Sequence, residues 1–239
     1  MLDELLPLVP PHNCYVEPFA GGLAVLPAKK PSPIEVINDA NHDLINFYRC
    51  VRFHQEPLLV ELEFVLNSRE EFNDFRHQPG LTDIQRAARW FCRNKMCFGG
   101  SNMDSFGASA STAMSSRVAR MEAIRALSYR LDKTTIEHKD WLDVVRQYDR
   151  SATFFFLDPP YTGCKIDMYG AWDINTVRRL RDVLQIIKGR WLLTLNDTPE
   201  IRRVFAGCTI KAVTRARGVN NQQGGRQYHE LIIRPASKP

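Results

Sequence analysis

The 239 residues contain no Cys-x-x-Cys pair, no G-x-G-x-x-G fingerprint and no Gly-Lys-Ser/Thr phosphate loop. No run approaches the ~20 apolar residues that a membrane helix needs, so no membrane partner is expected. The six cysteines (Cys14, Cys50, Cys92, Cys97, Cys164, Cys208) are scattered, and only Cys92 and Cys97 come near ligand-pair spacing. Structural zinc sites bring their ligands in close pairs, and the six histidines show no such spacing either, so no metal is expected. Scattered thiols without a secretory start read as a reduced, cytoplasmic protein. Internal repeats are also missing.

Composition sets the remaining bounds. Lys plus Arg number 32 against 27 Asp plus Glu, giving a formal net charge of +5 and a pI near 8.9. At 44% hydrophobic and 25% charged residues the chain is an ordinary globular protein, which excludes a disordered tail or a disulfide-dense mini-protein. Its length suits one domain, or one domain carrying an insertion.

Strand and helix patterns alternate at both ends of the chain but not in the middle. The run 13–18 (NCYVEP) reads as a buried strand, 23–29 as a helix, 33–38 (PIEVIN) as a strand and 43–53 as a helix, a parallel βαβ pattern. From 56 to about 133 the strands stop, and helices are predicted at 56–67, 70–77, 82–96 and 115–131. The Gly/Ser-rich stretch 99–116 between the last two is long enough to be functional or disordered. Alternation then resumes: a short strand at 134–137, a helix at 141–148, and a central strand at 152–157 (ATFFFL). A helix at 175–187, a strand at 190–195, a helix from Pro199 and strands at 208–214 and 227–233 complete it. The expected organisation is an α/β sheet domain (1–53 and 134–239) interrupted by a helical insertion (54–133).

Asp158-Pro159-Pro160-Tyr161 follows the most apolar strand directly, where open α/β sheets place ligands. As a plain turn, this tetrapeptide would arise by chance in on the order of one chain of this size per thousand. The chemistry it suits is methylation of an amino group on an aromatic ring, a weak nucleophile because its lone pair is shared with the ring. The Asp158 carboxylate and the Pro159 carbonyl would accept hydrogen bonds from the amine and free that lone pair. The two prolines fix φ and remove competing N–H donors, and Tyr161 offers a face on which a flipped base stacks. A second cluster, Glu17-Pro18-Phe19-Ala20-Gly21-Gly22, follows the first strand, and Asp39 closes the next. Glycines there let the backbone approach a nucleoside, and an acid about 20 positions on takes ribose hydroxyls. With no phosphate motif present, an adenosine-type ligand without pyrophosphate is expected. Asp39 is alternatively a cap for the following helix.

Taken together, VEPFAGG, VINDANHDLINFYR, LDPPY and LLTLND, in this order from about Tyr15 to Arg234, resemble the Dam-like (D12 class) DNA adenine N6-methyltransferases, especially phage-type members. The resemblance implies a Rossmann-like methyltransferase sheet with an inserted helical target-recognition domain, S-adenosylmethionine as methyl donor and double-stranded DNA as substrate. It implies that Phe19 and Gly21 belong to the cofactor turn, that Asp39 is the ribose carboxylate and that Asp158 to Tyr161 are catalytic, with Asp158 also near the cofactor. Asp140 would approach the cofactor adenine, or else cap the helix behind it.

The target-recognition domain would be the basic helical insertion. Residues 76–133 carry ten Lys/Arg against four Asp/Glu. Arg89, Arg93 and Lys95 on one helix and Arg117 and Arg120 on another are the candidate DNA contacts, beside the reading of each as a solvated surface charge. Arg217, in a second basic segment (202–234) whose connection 219–226 would approach the flipped base, is a further candidate. Two departures from the family pattern stand out: no Gly-Gly-Lys segment precedes the first strand, and Leu23 replaces a small residue in the glycine turn. The first raises the alternatives of a misassigned start or a weakly active, DNA-binding relative. Another amino methyltransferase, acting on RNA, cytosine N4 or protein glutamine, is the remaining alternative. The chain is expected to be a monomer in the cytoplasm of a bacterial or phage-infected cell, in a restriction-modification or phage role.

Overall fold

The computed structural model describes residues 1–97, 106–107, 114–162, 172–216 and 227–236. Most of the 99–116 stretch, Cys164, Arg217 and the 219–226 connection lie outside the described residues. Helix α1 (Leu2–Leu5) and a 3-10 turn (Leu6–Leu8) precede β1 (Cys14–Glu17), α2 (Val25–Ala28), β2 (Ile34–Asn38) and α3 (His42–Phe53). Then come α4 (Gln55–Glu63), α5 (Arg69–His77), α6 (Asp83–Met96) and α7 (Arg117–Leu131). The chain returns to the sheet through β3 (Thr134–Glu137), α8 (Trp141–Tyr148), β4 (Thr153–Leu157), α9 (Ile174–Ile186), β5 (Arg190–Asn196), α10 (Pro199–Val204), β6 (Thr209–Ala216) and β7 (Gln227–Arg234).

The strands form one seven-stranded sheet in the order β3-β2-β1-β4-β5-β7-β6. β1 pairs in parallel with β2 and β4, and β4 with β5, while β7 is antiparallel to β5 and β6. Strands packed on both faces need apolar residues at every position. β1 and β4 are covered on both faces, all four residues of β1 and all five of β4 being buried, and they are apolar but for Glu17 and Thr153. On one face, Cys14, Val16, Phe155, Leu157, Trp191, Leu193 and Leu195 pack against Leu142 and Val145 of α8 and Val177, Leu180 and Leu184 of α9. The opposite face of β1 carries Tyr15 and Glu17. β2 and β3 lie to one side of β1 and β5 lies to the other side of β4, so the β1–β4 boundary is the topological switch point, whose carboxyl-end crevice holds ligands in such sheets.

The chain divides into two compact units, 1–41 with 137–239, and 42–136. This division counts α3 with the helices, where the sequence reading ends the first sheet segment at residue 53. Within the helical unit, Phe47 of α3 stacks on Phe91 of α6 (centroids 5.1 Å, 6° between planes), and the Asn46 amide donates to the Asp83 carbonyl (2.9 Å). Hydroxyl caps start three of its helices: Ser68, Thr82 and Ser116 each accept a backbone N–H of the first turn. The predicted helix 56–67 is shorter, ending at Glu63. The reason is Arg120, whose guanidinium donates to the Val65 carbonyl (3.3 Å) and to Asn67 Oδ1 and holds this stretch as a loop. Phe64 and Leu66, which continue the apolar pattern, are exposed there.

Candidate active site

Three polar side chains stand side by side at the carboxyl ends of β1, β4 and β5: Glu17, Asp158 and Thr194. Alternation along each strand sends them to the same face, away from Val16, Leu157 and Leu193. Asp158 is exposed, one residue beyond β4. Its Oδ1 accepts the Thr194 hydroxyl at 2.6 Å, and Thr194 is buried. Pro159 is buried and Pro160 and Tyr161 are half-buried. The loop beyond them is tied to β5 by Thr162 Oγ1 donating to Asn196 Oδ1 (3.3 Å).

Glu17 is enclosed, with Oε1 accepting both the Tyr15 hydroxyl (2.6 Å) and the Leu26 N–H (2.9 Å). Burial pushes its carboxyl up to about 8, with the Asp158 charge adding in the same direction against the two hydrogen bonds and Lys29. Glu17 is therefore protonated at neutral pH. Lys29 lies 4.3 Å from the Tyr15 ring centroid and makes a buried 2.5 Å ion pair with Glu35. Sequence reading quoted Glu17 only as part of the glycine turn; an acid ending an apolar strand is the signal it left unused.

The turn after β1 is held by the strand beside it. Gly21 has φ +46°, which favours glycine, and its N–H donates to Asp39 Oδ2 (2.9 Å). Asp39 is completely buried, and its Oδ1 accepts the Asn41 N–H (2.9 Å). Its carboxylate thus binds the glycine turn to the end of β2. Leu23 also sits at positive φ (51°) and is buried, so the family's small-residue position is filled here by a packed side chain on strained backbone.

Beside this turn lies a cavity of about 330 Å³. Phe19, Trp141 and Trp172 form its aromatic walls, with ring centroids 5.3 to 6.5 Å apart. Asp140 lines it while capping α8 through Leu142 N–H (2.8 Å), so the cap reading holds and the carboxylate also borders the cavity. Lys139 and Arg179 add positive charge to the lining. Asn38 braces the cavity, donating to the Pro18 and Lys139 carbonyls and accepting the Lys139 N–H. The Trp172 indole N–H is buried and has no hydrogen-bond partner among the described residues. Trp141, Trp172, Asn38 and Arg179 were missed from sequence; no local pattern joins positions so far apart.

Of the candidate DNA contacts, Lys95 is exposed and Arg93 half-buried. Arg117 is about half exposed and pairs with Glu63 (3.6 Å). Arg89 donates to the Gln78 carbonyl (2.6 Å) and lies 5.5 Å from the Phe75 ring centroid. Arg120 is the correction: it is 3% exposed and bonded to Val65, Asn67 and Ser115, so it holds the helical unit together instead of facing solvent. Arg217 lies outside the described residues. Among the described residues, no group of His, Cys, Asp or Glu is placed to hold a metal ion, and no helix is long and apolar enough to cross a membrane.

A seven-stranded, mostly parallel sheet with an acidic motif and a glycine turn at its switch point defines a Rossmann-like methyltransferase fold. Residues 1–219 match the D12 class N6 adenine-specific DNA methyltransferase family, and the chain belongs to that family. It is 24% identical to the type II methyltransferase M.MjaIII of Methanocaldococcus jannaschii, across 92% of this chain and 87% of that protein. It is 28% identical to the type II methyltransferase M1.LlaDCHI of Lactococcus lactis subsp. cremoris, across 93% and 86%. A shorter match, 28% identical over 42% of this chain and 14% of the other, is to the DNA N-6-adenine-methyltransferase of Escherichia phage P1.

Proposed function

We propose that this enzyme transfers a methyl group from S-adenosylmethionine to the N6 atom of an adenine flipped out of double-stranded DNA. The observation that carries this reading is the Asp158-Pro159-Pro160-Tyr161 motif at the sheet's switch point, with Asp158 held by a buried hydroxyl. The Asp158 carboxylate and the Pro159 carbonyl accept the two amine hydrogens and draw the nitrogen lone pair out of the ring. Tyr161 stacks on the extruded base.

The cavity beside the glycine turn fits an adenosine-bearing donor. Phe19, Trp141 and Trp172 give an adenine an aromatic wall to pack against, the Trp172 N–H, without a partner among the described residues, meets a ring acceptor, and Asp140 accepts from the exocyclic amine. Gly21 leaves the backbone open to the ligand, while the buried Asp39 carboxylate orients that turn from beneath. Once bound, the donor supplies an electrophilic methyl on a sulfonium, so the protein's task is positioning. The basic helical segment 54–133 reads the duplex, with Lys95, Arg93 and Arg117 on phosphates and Arg217 as a further DNA contact. No metal takes part, and the enzyme works as a monomer in the cytoplasm of a bacterial or phage-infected cell, as a modification enzyme.

The test is methyl transfer from labelled S-adenosylmethionine to unmethylated duplex DNA, with Asp158→Ala as control. Label recovered as N6-methyladenine and lost in the variant is the expected result. Label in RNA, in N4-methylcytosine or in protein, or no label while DNA still binds, would refute it.

A further inference from the structure

Asp158 is not aimed by its own loop alone. β4 and β5 are parallel with Leu157 opposite Leu193, which puts Asp158 and Thr194 next in register, on the face turned away from the packed core. Thr194 is 1% exposed, so its hydroxyl cannot exchange its partner for bulk water. It has one proton and two acceptors, Asp158 Oδ1 at 2.6 Å and the Leu157 carbonyl at 3.3 Å. The shorter contact to the carboxylate takes the proton, because hydrogen bonds to charged acceptors are shorter and stronger. Thr is β-branched and stiff at χ1, so within a strand the hydroxyl stays where the backbone puts it. A carboxylate bonded through one named oxygen can no longer turn freely about its Cβ–Cγ bond. The plane of the Asp158 carboxylate is therefore held from β5, a rigid element, as well as from the turn that carries the residue.

We infer that Thr194 is the positioning residue for Asp158: its buried hydroxyl fixes the plane of the carboxylate that accepts the target amine. The inference rests on the methyl-transfer reading above and adds a residue to it. A donor is present on the carboxylate before substrate arrives, so the acceptor is preorganised and no rotamer search accompanies amine binding. When Asp158 carries a proton, the hydroxyl has the Leu157 carbonyl to turn to, so neither state leaves it buried without an acceptor.

The experiment pairs two measurements on wild type, Thr194→Val, which keeps the shape and removes the hydroxyl, and Thr194→Ser, which restores it. In single-turnover methyl transfer to duplex DNA, Thr194→Val is expected to be about 10- to 100-fold slower, with donor and DNA affinities within about twofold of wild type. Thr194→Ser is expected to recover the rate to within about threefold. The second readout needs no substrate: carbon-13 NMR titration of the Asp158 carboxyl, its midpoint moving to higher pH in Thr194→Val and returning in Thr194→Ser. If Thr194→Val does not fold, Thr194→Ala is read in the same way. Wild-type rate in folded Thr194→Val, rate and affinities falling together, or no recovery by serine would overturn the inference. If wild type itself transfers nothing to DNA, the substrate reading falls, and the titration alone decides on Thr194: an unmoved midpoint rejects it.

Discussion

Glu17→Gln isolates the buried carboxyl behind Asp158. In the folded protein Glu17 titrates at about 8; in the unfolded chain it returns to the ordinary 4.5. Below pH 4.5 both states hold the proton and the group contributes no pH dependence. Between 4.5 and about 8 the folded state keeps a proton that the unfolded chain has released, so raising the pH favours unfolding. Stability then falls by about 1.36 kcal/mol per pH unit, to a ceiling of about 5 kcal/mol, and levels off above pH 8. Glutamine keeps an acceptor for the Tyr15 hydroxyl and the Leu26 N–H and cannot ionise. The assay is urea unfolding of both proteins from pH 5 to 8, followed by tryptophan fluorescence, taking the difference between them so that every other titrating group cancels. The variant's advantage over wild type should grow steadily from pH 5 to 8, by roughly 2–4 kcal/mol in total. A difference that stays constant across that range would refute the reasoning, because it would mean that Glu17 is ionised in the fold or not desolvated by it.

Two further outcomes follow from the same geometry. Trp172→Phe keeps an aromatic wall but removes the N–H that has no partner among the described residues; by calorimetry, donor affinity should drop about fivefold, the worth of one neutral hydrogen bond, with the fold intact. Arg120→Ala and Lys95→Ala should separate structure from recognition. The first should lower unfolding stability by roughly 2–4 kcal/mol, because it strips a buried charged donor from Val65, Asn67 and Ser115. The second should leave stability unchanged and reduce the salt slope of DNA binding by about one, measured by fluorescence anisotropy across a salt series.

Much of this was legible in the chain itself. The run TFFFL can only be a strand covered on both faces, and the acid-proline-proline-tyrosine that ends it falls at a carboxyl edge by simple continuation. The alternation of apolar strands and amphipathic helices at both ends of the chain, with helices between them, is a local pattern and survives into the fold with element ends shifted by a few residues and α4 cut short at Glu63. These features depend on side-chain period and backbone chemistry within a few positions, which a sequence states directly. The rest depends on which distant segments meet. Insertion of β7 between β5 and β6 sets the sheet order. Phe19, Trp141 and Trp172 converge on one cavity from three separate segments. Arg120 looks like its exposed neighbours in sequence but is buried, because a loop more than fifty residues earlier needs its donors. Thr194 and Glu17 become partners and neighbours of Asp158 only because β1, β4 and β5 lie side by side. Burial and hydrogen-bond pairing are properties of packed surfaces, and it is packing that turns a strand-end glutamate into a neutral acid and a strand threonine into the support of a carboxylate.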